Sequence, residues 1–224
     1  MLVKIYKDPS AIRFIRCVSP VPGTDICAGG AGFTIEGAAA KCESELIERD
    51  YELNVLRPSG IAPIGIAAHL TEKAAHEKAK HEAIETLCVR QIHSEKEFRC
   101  FFKVKAFGVS LAIARTSHGY FSMIRGDVGG IKVIAYSAAR SILSTILKAW
   151  EEYRSMHFFK LSRAQLKTFT KANFLFSEEE IGSLKFAREE NYIYRPNLTG
   201  LTAASAAISD RQIVYLYKKE ETTQ

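Results

Sequence analysis

Residues 30–49 read GAGFTIEGAAAKCESELIER, and residues 71–93 read TEKAAHEKAKHEAIETLCVRQIH. Both stretches are rich in strong helix formers and open on a threonine suited to an N-cap, Thr34 in one and Thr71 in the other. The spacing predicts a helix from Thr34 to about Leu56, with Gly37 as a mild flaw, and a second from Thr71 to about Ile92. Each carries two glutamates three residues apart, Glu45 with Glu48 and Glu82 with Glu85. On an α-helix such a pair lies about 60° apart and within one turn. Two pairs brought face to face would crowd carboxylates together, which is unfavourable unless cations neutralise them, so the pattern points to a hard-metal and phosphate site. The competing reading is a solvated helix face. Against it, Glu45 and Glu48 enclose Leu46 and Ile47, and Glu82 and Glu85 enclose Ala83 and Ile84.

Outward from these helices, residues 11–18 read as a strand that ends before Pro20, Pro22 and Gly23. Residues 26–33 are glycine-rich and apolar, a strand running into a loop. Pro58, Gly60 and Pro63 close the first helical segment. Four strand-like runs follow the second, at 99–107, 109–115, 119–124 and 131–136, separated by glycine turns. Ser137 then opens a third helix to about His157, with Ala138, Ile142, Ile146, Ala149 and Tyr153 at helical spacing. The next stretch reads as helical and polar to about Asn191, then irregular, with a last strand at 212–217. Strand runs beside long helices predict an α+β fold with mixed or antiparallel sheets in a single compact domain, residues 1–218, and a disordered tail at 219–224.

The 224 residues are 47% hydrophobic and 25% charged, ample material for a core. No run approaches a membrane span, and the N-terminus has no apolar h-region, so a cytoplasmic protein with no membrane role is expected. Cys17, Cys27, Cys42, Cys88 and Cys100 are odd in number and form no C-x-x-C pair, which argues against a disulfide framework and a zinc site. Cys42 and Cys88, set in helices beside alanine or leucine, read as core fillers. The net charge of +6 suits an acidic partner such as nucleotide phosphates, but its densest patch, 73–80, is interleaved with glutamate and reads as a solvated face rather than a nucleic-acid surface.

Several motifs fail on spacing. Gly30, Gly32 and Gly37 do not make G-x-G-x-x-G, and no G-K-[ST] is present, so neither a dinucleotide fingerprint nor a P-loop is supported. His76 and His81 stand one residue too far apart for H-E-x-x-H and would point about 140° apart on a helix. No G-x-S-x-G elbow is present.

A family resemblance does fit. Gly30-Ala31-Gly32, then a helix with Ala38 and Glu45-x-x-Glu48-Arg49, resembles the first ATP-binding segment of YcaO-type proteins, a glycine-rich turn followed by S-x-x-x-E-x-x-E-R. Residues 65–71, GIAAHLT, with Ala75 and Glu82-x-x-Glu85, resemble the second, N-G-x-A-A-G-x-T … A … E-x-x-E-R. Gly130, Ser137-Ala138-Ala139-Arg140 and Lys148-Ala149-Trp150-Glu151-Glu152 resemble the third. The match runs in order over residues 26–157. Lys41 stands where the family usually has serine, Ile64 replaces asparagine, His69 glycine and Thr86 arginine.

The resemblance implies a YcaO-like fold holding ATP between helices. Mg²⁺ would sit on Glu45, Glu48, Glu82, Glu85 and Glu152, Arg49 and Lys41 would contact phosphates, and Gly30 and Gly32 would admit the nucleotide close to the backbone. It implies a cyclodehydratase-type activity in ribosomal peptide (bacteriocin-type) biosynthesis. A backbone amide oxygen of a precursor peptide is phosphorylated, and attack by a side chain, sulfide or amine gives an azoline, thioamide or amidine. Such chemistry is mostly positioning and charge stabilisation. The implied partners are the precursor peptide and a peptide-delivering protein; a homo-oligomer stays open. A second reading, favoured by Ile64 and Thr86, is a degenerate YcaO-fold protein that binds nucleotide or peptide without turnover.

Overall fold

The Thr34 hydroxyl accepts the Gly37 N–H at 3.1 Å, so the first long helix begins where its sequence predicts. In the computed structural model, residues 4–7, 15–24, 26–158, 175–209 and 212–219 are described. The chain divides into two units, residues 1–83 with 199–224, and residues 84–198.

In the first unit, β1 (Lys4–Lys7), β2 (Ile15–Pro20) and β3 (Cys27–Gly32) form an antiparallel sheet in that order. Helix α1 (Ile35–Tyr51) follows and closes on a π-helical turn, Glu52–Leu56. A second antiparallel sheet has the order β12 (Leu201–Ser209), β13 (Gln212–Lys219), β4 (Gly65–His69). One face of α1 lays Ala38 and Cys42 on Cys17 of β2. The other presents Ile47 and Tyr51 to Leu56, Ile66, Ala68, Val214 and Leu216. Burying such branched side chains contributes about 1.5–3 kcal/mol each. Small residues set the helix–strand distance. A Cβ on Gly30 would lie 2.2 Å from Ala38 O and 2.3 Å from Cys42 N, and one on Gly65 would lie 2.3 Å from Ala79 O and 2.5 Å from Ala83 N.

Helix α2 (Glu72–Glu95) starts in this unit, and its later turns belong to the second. There, β5 (Glu97–Cys100), β6 (Phe102–Ala106), β7 (Val109–Thr116), β8 (Gly119–Val128) and β9 (Ile131–Ala139) lead to α3 (Ile142–Phe158). A short α4 (Glu178–Ser183), β10 (Lys185–Arg188) and β11 (Ile193–Tyr194) complete it. The main sheet runs β11-β7-β8-β9, with β6 also paired to β7. Ile84, Cys88, Val89 and Ile92 form the apolar stripe of α2 and pack with Phe98, Phe121, Tyr136 and Tyr194. Ala149, Tyr153 and Met156 of α3 pack on Ile124, Val133 and Ala135.

The α+β expectation is met, with antiparallel pairing dominant and two parallel pairs, β10 with β5 and β11 with β7. Boundaries differ where tertiary pairing overrides propensity. Residues 137–139 are strand, not helix, because β9 pairs with β8 along its whole length; α3 starts after Ser141, whose hydroxyl accepts the Ser144 N–H at 3.2 Å. Ile142 is accordingly exposed, and Thr145 takes the buried position. Among its described residues, the stretch read as helical to Asn191 holds α4 and then β10, whose Phe186 packs edge-on against Phe98 at 5.5 Å. Strands β4 and β12 are new: β12 is mostly alanine and serine and takes its extended form from pairing with β13. Residues 11–14 of the first expected strand and 159–174 of the expected helical stretch lie outside the described residues. So do residues 220–224 of the expected tail, whose first residue, Lys219, pairs with Leu201. Among the described residues no helix is long and apolar enough to cross a membrane.

Candidate functional site

Three strand–helix joints share one sequence frame. β3, β4 and β9 lead into α1, α2 and α3 through capping hydroxyls at Thr34, Thr71 and Ser141, each accepting the N–H three residues on. Counted from each cap, a lysine stands at the seventh residue (Lys41, Lys78, Lys148) and a small buried residue at the eighth (Cys42, Ala79, Ala149). A glutamate stands at the eleventh (Glu45, Glu82, Glu152), and Glu48, Glu85 and Ser155 stand at the fourteenth. The two E-x-x-E helices are therefore two copies of a motif that occurs three times.

The carboxylates meet strand edges. β4 is the edge strand of its sheet, and the N–H groups that point away from β13 need acceptors. Glu82 Oε2 takes the Ile66 N–H at 3.3 Å, and Glu48 Oε1 takes the Ala68 N–H at 2.8 Å. In the second unit β9 is likewise an edge strand. Glu152 Oε2 takes the Tyr136 N–H at 3.1 Å, and Glu85 Oε1 takes the Ala138 N–H at 2.7 Å together with the Ser137 hydroxyl at 3.1 Å. In each case one glutamate comes from the helix after the strand and one from the helix before it.

The first unit's carboxylates are electrostatically crowded. Burial pushes the Glu48 carboxyl up, to about 7; Lys78 opposes that shift and Glu82 adds to it. Burial also raises Glu45, against the pull of Arg49 and Lys78. Lys78 Nζ lies 2.5 Å from Glu48 Oε1. Arg49 stands 3.6 Å from Glu45 and 3.3 Å from Glu52. Burial disfavours its charge, but Glu45, Glu52, Glu82 and Glu48 more than offset this and raise its pKa.

Glu45, Glu48, Arg49 and Glu82 therefore interact within one unit, and Glu85 and Glu152 serve the same strand of the other. Arg49 forms the i, i+4 pair with Glu45 that its spacing allows. Lys41 is exposed on α1, one turn before Glu45. Gly30 turns its open side to α1, and Gly32 nearly does, with Ala38 N at 3.0 Å. Close helix packing thus calls for these glycines. His76 bonds the Tyr217 hydroxyl at 2.5 Å, and its ring lies 4.6 Å from that of Tyr215 at a tilt of 44°. Among the described residues no group of three or more His, Cys, Asp or Glu side chains is arranged to hold a metal ion. Sequence reasoning missed Lys78, Ser137 and the strand amides; the recurrence of lysine at the seventh position was the signal for the first.

No family model matches the sequence, and no curated protein matches it significantly. Two solved structures are similar in fold. A chain of the E. coli microcin synthetase McbBCD complex superposes with a TM-score of 0.57 at 11% identity, covering 96% of this chain and 86% of that one. The YcaO protein of Methanopyrus kandleri, bound with AMPPCP and Mg²⁺, gives a TM-score of 0.55 at 11% identity, covering 97% and 84%. The chain has the fold of these proteins.

Proposed function

We propose that this protein binds ATP with Mg²⁺ and uses it to activate a backbone amide of a precursor peptide, in the manner of YcaO-type cyclodehydratases. The observation that carries the reading is the trio Glu45, Glu48 and Glu82, whose charges meet at Arg49 and Lys78 on capped helices, in a fold similar to that of a protein bound with AMPPCP and Mg²⁺. The donor chemistry fits: carboxylate oxygens suit Mg²⁺, which is usually bound by one or two carboxylates plus substrate phosphates rather than by an all-protein cage. In the first unit Glu45, Glu48 and Glu82 would hold the ion; Glu85 and Glu152, the other expected ligands, belong to the second unit.

Bound nucleotide would supply the phosphoryl group that makes an amide oxygen a leaving group. The chain's own part is to orient and to neutralise charge. Arg49 is set to meet phosphate, with Lys41 as a second cation one turn away. A peptide-delivering partner protein belongs to this reading, and the McbBCD neighbour is itself part of a complex.

Calorimetric titration with a non-hydrolysable ATP analogue, with and without Mg²⁺, tests the reading together with an ATP hydrolysis assay. Magnesium-dependent binding that falls at least tenfold in the Glu45→Gln/Glu82→Gln double variant is expected. A wild type that binds no nucleotide would sink it. Binding without hydrolysis would leave the degenerate, non-catalytic reading, which the Thr86 and Ile64 positions favour.

A further inference from the structure

Glu48 and Glu85 occupy the same position of the repeated frame, and both accept the third N–H before the next cap, from Ala68 and Ala138. The Ser137 hydroxyl also reaches the accepting oxygen of Glu85, and the ammonium of Lys78 reaches that of Glu48. In the first unit the residue matching Ser137 is Ala67, which has no donor. The Lys78 side chain reaches back from α2 to α1, where its charge faces Glu48 first, then Glu82 and Glu45. Its ammonium thus bonds Glu48 directly and acts on Glu82 and Glu45 through their charge. Glu48 is the most enclosed of them, with its side chain 8% exposed against 37% for Glu45.

We propose that Lys78 is a resident cation of the first unit: its ammonium takes a cation position among Glu45, Glu48 and Glu82, so that Glu48 is withdrawn from metal ligation. This deepens the nucleotide–Mg²⁺ reading and rests on it for the idea that these carboxylates face a cation. It revises the ligand set, leaving Glu45 and Glu82 for the ion that accompanies nucleotide. The charge supports it. Three carboxylates face Lys78 and Arg49, and Arg49 is shared with Glu52. The remaining negative charge suits a single divalent ion bridged to phosphates rather than two. A flexible lysine stem lets the ammonium meet several oxygens at once, as a compact point charge can.

Counting Mn²⁺, as the stand-in for Mg²⁺, by EPR on the full-length chain without nucleotide tests this. Lys78→Met removes the charge and keeps the length, and it should bind one more Mn²⁺ than wild type and gain thermal stability with Mn²⁺ where wild type does not. Glu48→Gln in the wild-type background should leave the Mn²⁺ count unchanged, and this variant decides the matter alone if Lys78→Met fails to fold. An unchanged count in folded Lys78→Met, or a count lowered by Glu48→Gln, would overturn the proposal. Because no nucleotide is present, the result stands apart from the nucleotide titration, whose failure would sink only the ATP reading.

Discussion

The Glu85 carboxylate on α2 accepts the Ala138 N–H of β9 at 2.7 Å, across 53 residues of chain. It satisfies a buried donor on the edge of a sheet, where no strand of the described residues pairs. The same bond recurs between Glu48 and Ala68 at 2.8 Å. These carboxylates are structural before they are chemical: they fix the helix against the strand edge and are themselves oriented by it.

Glu85→Ala leaves the Ala138 N–H without its acceptor and takes one of two acceptors from the Ser137 hydroxyl, and it should cost about 1–3 kcal/mol of stability. Glu85→Gln keeps an acceptor oxygen and should cost less. Urea unfolding of the two variants against wild type measures the difference, and equal costs would argue against the edge-capping role.

Gly65→Ala puts a methyl group 2.3 Å from Ala79 O and 2.5 Å from Ala83 N, both backbone atoms that cannot rotate away. A loss of about 1–3 kcal/mol or more is expected from the overpacking. Gly182→Ala is the control. Its Cβ meets nothing within 4 Å inside α4, and the change should be neutral or stabilising by up to about 1 kcal/mol. Melting temperatures of the pair should therefore move in opposite directions, or only that of Gly65→Ala should move.

Thiol reactivity should follow burial. Cys42 and Cys88 are buried; burial pushes the Cys42 thiol up to about 11 and raises Cys88 as well. Cys27 is exposed. A chromogenic disulfide reagent under native conditions should modify Cys27 and spare Cys42 and Cys88, which should react only in denaturant. Mass spectrometry of the labelled peptides reads this directly.

Two carboxylates give opposite pH dependences. The Lys96 ammonium and the Ser177 N–H hold Glu180 at about 2, below the ordinary 4.5. Its contribution is present above 4.5 and is lost as pH falls through about 2, so Glu180→Gln should flatten that acid-side loss. Glu48 is raised to about 7, so its contribution is present below 4.5 and is lost as pH rises through 7. Glu48→Gln should therefore gain on wild type between pH 5 and pH 8. Melting temperatures across both ranges check the two signs.

The sequence by itself determined the local events. Thr34 and Thr71 started helices because a hydroxyl placed to accept an N3 amide is a local device, and Gly108 marked the turn between two strand runs, where its φ is 78°. It also placed the glutamate pairs on helices and the apolar stripe of α2, since both depend on a 3.6-residue period. Only the tertiary structure decided that residues 137–139 extend β9, since pairing with β8 outweighs the helix preference of alanine. It alone revealed that β4 and β9 present edge amides to the glutamates, and that Lys78 turns back to Glu48 rather than outward. Caps and periodicities are encoded within a few residues. Edge satisfaction and charge pairing arise between segments 16 to 53 residues apart, brought together only when the sheets form.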